Sequence, residues 1–260
     1  MIYRRAIAKL RAQDWFAIGI ELAIVIVGVF IGMQVSNWNE AAADRRDAKR
    51  MVGEVRPGLV QFDQALESAE QYFATTGLYG DTAFAGWAGD PKVSDEQFVI
   101  AAYQASQVTQ IAINGASWTQ IYGGDKLSKI PDPELRADLA GVMALDFGQL
   151  SLDTVATPYR QDVREVIPQD IQAAIRGHCG DRLARGSAMI TLLPATCDLD
   201  FPAEKWAAAA RDLRAEPQLV KELRWHRAAV AAFVFIAGIF RNRVQRALNR
   251  IDLDEKPRSG

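Results

Sequence analysis

The sequence predicts an all-α protein, one amino-terminal transmembrane helix continuing into an antiparallel helical bundle. Three observations predict it: an apolar run of twenty residues near the start, apolar positions recurring in steps of three and four over two long segments, and no period-two run bounded by turns. The chain has 260 residues, 49% of them hydrophobic and 24% charged, enough for one sizeable core and too apolar for a disordered chain. Its formal net charge of −2 argues against a dedicated nucleic-acid binder, which carries a basic excess on one face.

The apolar run is Phe16 to Val35, in which only Glu21 and Gln34 are polar. At about 1.5 Å per residue it makes a helix of about 30 Å, the thickness of a bilayer's hydrocarbon core. Trp15 and Trp38 bracket it where amphipathic rings settle at the interfaces. A cleaved signal peptide is the competing reading, since Ala41-Ala42-Ala43 offers small residues to a peptidase. Signal cores hold about 7 to 15 apolar residues, so the longer run favours an uncleaved anchor. Arg4, Arg5, Lys9 and Arg11 precede it and Arg45, Arg46, Lys49 and Arg50 follow it, a tie that breaks near the membrane, where residues 36 to 44 hold Glu40 and Asp44 and no cation. The expected layout is a cytoplasmic basic tail at 1–14, a transmembrane helix at 15–36 and a periplasmic helical bundle domain at 37–260, single-pass in a bacterial inner membrane. Ile2, Ala6, Ile7 and Leu10 share one side of the tail, which would let it lie on anionic lipid.

After the span, Val52, Val55, Leu59, Phe62, Leu66, Ala69 and Phe73 keep the helical rhythm and predict a long helix to about residue 76. Pro57 cannot donate to the Gly53 carbonyl, so a kink or break is expected there. Further helices are expected at 94–112, with Ser94 as N-cap and Gln97 completing a capping box, and at 132–154, with Asp132 capping and Pro133 in the first turn. Segments 158–176 and 203–251, the second open to a break at Pro217, complete the set. Within the last, Ala228 to Phe240 is a second apolar stretch of thirteen residues, too short to span a bilayer and of the length of a buried core helix. Leu219, Leu223, His226, Val230, Phe233, Ala237, Phe240, Val244, Ala247 and Ile251 draw a single seam along it. The strongest breaks are Gly86 to Pro91, Gly123-Gly124 and the stretch around the cysteines.

Cys179 and Cys197 close a loop of nineteen residues, and an oxidising periplasm would join them as a disulfide. A metal site built from His178, Cys179, Cys197 and Asp198 is the sharper alternative. Adjacent residues rarely aim at one ion and no Cys-x-x-Cys spacing is present, so no metal is expected.

Trp15-Phe16-Ala17-Ile18, Glu21, Gly28-Val29-Phe30-Ile31-Gly32, Gln34-Val35 and Asn37-Trp38-Asn39-Glu40 resemble the amino-terminal signature of a widespread family of uncharacterised bacterial membrane proteins. A second patch, Ser117-Trp118-Thr119-Gln120-Ile121 through Gly124-Asp125-Lys126-Leu127-Ser128-Lys129-Ile130 to Asp132-Pro133-Glu134-Leu135-Arg136, is similar to a mid-domain pattern of that family. Met143-Ala144-Leu145-Asp146, where an aromatic pair would follow the capped helix, and the Ala- and Phe-rich last helix depart from it. The resemblance implies one amino-terminal span and a helical extracytoplasmic region, and it implies no activity.

Within the span, Glu21, Gly28 and Gly32 fall within roughly 20° of one line at about 100° per residue. Gly28-x-x-x-Gly32 would let another helix approach closely, and a carboxylate on the same stripe would hydrogen-bond across the contact, predicting self-association or a membrane-protein partner beyond the lipid bilayer itself. Plain lipid packing is the alternative. Enzyme signatures are missing: no Gly-x-Ser-x-Gly elbow, no His-Glu-x-x-His, no phosphate loop and no dinucleotide fingerprint. His226 lies on the apolar seam and His178 in a loop, so no catalytic residue and no cofactor is expected. Carboxylate pairs such as Asp81 with Asp90 or Asp125 with Asp132 are left without a motif. Two non-enzymatic classes remain, a membrane-anchored interaction or scaffolding protein and an extracytoplasmic ligand-sensing bundle that signals through a partner. Trp87, Trp118 and Tyr122 are the candidate ligand or partner contacts, against the plainer reading that they are core.

Overall fold

The computed structural model describes residues 15–111, 127–184 and 190–255. Helix α1 (Trp15–Trp87, 73 residues) carries the apolar run and continues into the body. The break expected at Pro57 is not there. Pro57 and Gly53 both face water, which can hydrate the carbonyl that loses its donor, while Val55 and Leu59 on the opposite side stay buried. The helix ends at the glycine-rich break, where Gly89 takes a φ of 75°, open to a residue without Cβ.

Helix α2 (Asp95–Gln104) begins on the expected capping box: Ser94 Oγ accepts from the Gln97 amide at 3.1 Å and Gln97 Oε1 from the Ser94 amide at 3.0 Å. It stops at Gln104 rather than running toward 112, because Ser106 turns its hydroxyl back onto the Tyr103 carbonyl at 2.6 Å. Helix α3 (Pro133–Met143) has Asp132 as its N-cap and is likewise shorter than the predicted 132–154. Two 3-10 turns, Phe147–Leu150 and Leu152–Thr154, replace the remainder, since Asp146 and Ser151 each accept from an amide two residues on. The single helix expected over 158–176 is two, α4 (Pro158–Val166) and α5 (Gln169–Cys179): Pro168 forces Ile167 into an extended conformation. Helices α6 (Ala203–Ala215) and α7 (Gln218–Glu255) part at Pro217 as the sequence indicates. A two-stranded antiparallel ribbon, β1 (Arg182–Leu183) with β2 (Thr191–Leu192), sits inside the cysteine loop and has no sequence signal longer than two residues per strand.

The core is the antiparallel pair of α1 and α7. Arg56 on α1 meets Asp252 near the end of α7, the Phe73 and Phe233 rings stack edge-on at 5.2 Å, and Asp81 meets Arg227 near its start. The seam buries nine of its ten predicted positions almost completely, and Val230 is partly buried. Around this pair, α2 lies on α1, α3 and α4 on α7, and α6 on α2. Gly86 lets α2 close on α1: a Cβ there would lie 2.1 Å from the Phe98 ring. On the flank of the pair, Arg241 gathers Asp63, Glu67 and Glu70 at 3.3, 3.0 and 2.9 Å, a network that ties three turns of α1 to one residue of α7.

Candidate functional site

The first half-turns of the described chain pose the main functional question. Gly19 to Val35 expose nearly every side chain, with Leu22, Ile24 and Val25 at 60% or more, and the most apolar window of α1 has a mean hydropathy of 2.0 with none of it buried. Among the described residues two helices, α1 and α7, are long and apolar enough to cross a membrane by length and composition. They differ in cover, because the α7 window, at 1.4, turns its seam into the core.

On α1, Glu21, Gly28 and Gly32 are all exposed, and a Cβ placed on either glycine would meet nothing within 4 Å. The small-residue stripe is open to a second helix along a stretch of α1 of which nothing is buried.

Helix α7 carries a second open apolar face. Trp225 and Phe235 are 66% and 70% exposed, and Ala228, Ala232 and Ile239 continue the line at three- and four-residue steps. Beside it runs an apolar groove of about 430 Å³ between Phe73, Ala74 and Gly77 of α1 and Val230, Val234 and Phe235 of α7. A separate cleft of about 500 Å³ opens at the end of the body nearest the apolar run, where Arg45 and Lys49 overhang Val52, Ile130, Leu135 and Ile251.

The cysteines are joined as a disulfide, with Cα atoms 5.5 Å apart. Trp87 is half-buried, stacks edge-on against Phe98 at 5.1 Å and donates its indole N–H to the Leu213 carbonyl at 3.0 Å. That spends its polar atom on the fold, and Trp87 fastens the top of α1 to α2 and α6. Trp118 and Tyr122 lie outside the described residues.

Sequence reasoning missed a polar centre at the carboxyl end of α2. Arg160 and Arg164, one turn apart on α4, both donate to Gln107 Oε1 at 3.2 Å; Arg160 also donates to the Ser106 carbonyl and Arg164 to Ser106 Oγ, each at 2.8 Å. The Arg164 guanidinium lies 4.7 Å over the Tyr103 ring, and burial, with Arg160 alongside, lowers its pKa. Two cations thus cap the negative end of α2, whose own last turn has no basic residue. The four-residue spacing of Arg160 and Arg164 was the available signal, but spacing does not say which helix end they meet.

His226 packs against this centre, 1% exposed, with Nδ1 hydrogen-bonded to Thr157 Oγ1 at 2.8 Å. Burial first, then the Arg160 charge, pushes its pKa down to about 4. The imidazole is neutral in the folded chain and takes a proton on unfolding near 6.5, so stability falls as pH drops through this interval. By pH 4.5 this one group is expected to cost about 2 to 3 kcal/mol. Urea unfolding of the solubilised full chain between pH 7 and 4.5 checks it: wild type should lose stability more steeply than His226→Gln, and parallel curves would refute the assignment.

Comparison of the chain with known protein families, with curated proteins and with solved structures finds no match in any of the three.

Proposed function

We propose that this chain is a membrane-anchored interaction or scaffolding protein without catalytic activity, held by residues 15–36 in a bacterial inner membrane. In this reading residues 1–14 stay in the cytoplasm, residues 37–260 form the periplasmic body, and association runs through the helix in the lipid. One observation carries it: Glu21, Gly28 and Gly32 share one line on a bare stretch of α1, with open space over both glycines. Two copies, or one copy and another membrane protein, can close along this stripe. The resemblance of the amino-terminal signature to bacterial single-span proteins supports the same placement. The uncovered apolar face of α7 adds a second surface suited to a partner.

A bilayer self-association assay tests the stripe. Gly28→Ile, which fills the close approach, is expected to abolish most of the dimer signal. Glu21→Ala is expected to weaken it by about 1 kcal/mol, the scale of one interhelical hydrogen bond in lipid. Equal signals for wild type and both variants would remove self-association through this face.

A further inference from the structure

The apolar groove between α1 and α7 ends on a polar atom that the fold leaves unspent. Its walls are apolar and open to solvent: Ala231 and Phe235 are exposed, and Gly77, Val230 and Val234 are half-buried. Four polar side chains border it, and three of them have partners. Thr76 Oγ1 donates to the Phe73 carbonyl at 2.9 Å, Glu70 pairs with Arg241 at 2.9 Å, and Arg227 pairs with Asp81. The fourth is His226, on the floor with Phe73 and Ala105. Its Nδ1 is held by Thr157 Oγ1 at the start of α4, while its Nε2 is shut off from water and has no hydrogen-bond partner. The Ala105 carbonyl lies close enough to favour a proton on the ring, but not in line to accept from Nε2. A polar nitrogen buried in this way is destabilising, and a ligand atom bonded to it recovers what the fold gives up. The tautomer says which atom that is. The Thr157 hydroxyl makes no cap bond to its own helix, so its hydrogen goes to Nδ1, and the neutral imidazole carries its one proton on Nε2. The groove therefore offers a single N–H donor in apolar surroundings.

We propose that this groove binds an uncharged apolar small molecule with one acceptor oxygen, an aromatic ketone being the simplest case, its rings lying between Gly77, Val230, Ala231 and Phe235 and its oxygen accepting from His226 Nε2. The volume, about 430 Å³, accommodates a two-ring molecule. A rotamer change in the wall, of the kind that accompanies binding, brings the oxygen onto the buried N–H. A charged ligand finds no counter-ion, because Glu70 and Arg227 at the rim are already paired. A pure hydrocarbon would leave Nε2 as unsatisfied as before. Phe73 stands 38 residues beyond Val35, about 57 Å along α1, so the ligand comes from the water around the body and the site needs neither the anchored placement nor the association stripe.

Benzophenone is a direct probe, since it joins two rings through one carbonyl and forms covalent adducts under near-ultraviolet light. The full chain in phosphatidylcholine nanodiscs is irradiated with it and the adducts are mapped on peptides, those on residues 16–35 serving as the reference for probe dissolved in lipid. Adducts are expected on peptides holding residues 73–77 and 227–235, displaced by excess fluorenone and not by fluorene, the same skeleton without the oxygen. His226→Phe, which keeps a ring and removes the donor, should label the groove about fivefold less, the loss of one neutral hydrogen bond. Ala231→Trp, at an exposed position, fills the groove with the donor intact and should label less as well. Trp225→Ala, exposed and off the groove, should label like wild type, and so should Gly28→Ile, which separates this proposal from the association reading. Adducts confined to residues 16–35, equal displacement by fluorene, or full labelling of His226→Phe or of Ala231→Trp would each overturn it.

Discussion

Phe233→Ala is expected to destabilise the body by about 4 kcal/mol, whereas Phe235→Ala, two residues along the same helix, should change stability by less than about 0.5 kcal/mol. The contrast follows from burial. Phe233 is 2% exposed and its ring meets Phe73 of α1 edge-on at 5.2 Å, so truncation leaves a cavity in the seam between the two longest helices. Phe235 is 70% exposed and has nothing to vacate. For a body of this size the first substitution should lower the melting temperature by roughly 10 °C. Melting both variants decides how the apolar middle of α7 is used. A core helix gives the asymmetry; similar losses at the two positions would mean that the outward face is covered by lipid or protein as fully as the inward one.

The three- and four-residue rhythm made this seam legible before any coordinates. Period, apolar residues and length agree at Leu219 to Ile251, and no local residue argues otherwise. Caps were legible for the same reason: Ser94 with Gln97, and Asp132 with Pro133, act through neighbours in the chain. The differences arise where local signals compete. At Pro57 packing on Val55 and Leu59 outweighs one lost hydrogen bond, yet at Pro168 the helix splits although Val163, Ile167 and Ile171 around the break are buried, because Ile167 before the proline is extended. Asp146 and Ser151 end α3 through bonds to their own backbone, which composition counts as ordinary polar residues.

The site was legible only in part. Glu21, Gly28 and Gly32 share a line because a helix's angular step is fixed, so their relation follows from numbering alone; that the line is left uncovered needed the structure. The base cleft brings together Arg45, Ile130 and Ile251, residues separated by 85 and 121 positions with no motif joining them. The same is true of Arg160 and Gln107 in the polar centre. Trp87 had the residue type of a contact, and nothing in its neighbourhood in the sequence pointed to its indole bond to α6.

Cys197→Ser is expected to cost about 3 kcal/mol, the chain-entropy value for a closed loop of this length. Further bonds tie the loop into the body, among them three to backbone carbonyls, which makes the loss global rather than local. Ser68 Oγ donates to the Thr191 carbonyl at 3.2 Å, Tyr79 Oη to the Pro194 carbonyl at 2.8 Å, and Gln104 Nε2 to the Cys179 carbonyl at 2.7 Å. Two of these hold the loop against α1 and the third holds α5 against α2, so an unclosed loop loosens contacts to the helices that form the core. Wild type melted with and without dithiothreitol, beside the variant, measures the effect: reduction should bring wild type down to the variant and leave the variant unchanged. The same bond reports on compartment, because only an exported body meets an oxidising environment. Alkylation of whole cells with a maleimide polymer should shift the chain only after reduction. Free thiols in untreated cells would place the body on the reducing side of the membrane, and with it would fall the periplasmic assignment, while the seam, the stripe and the cleft would stand on their own geometry.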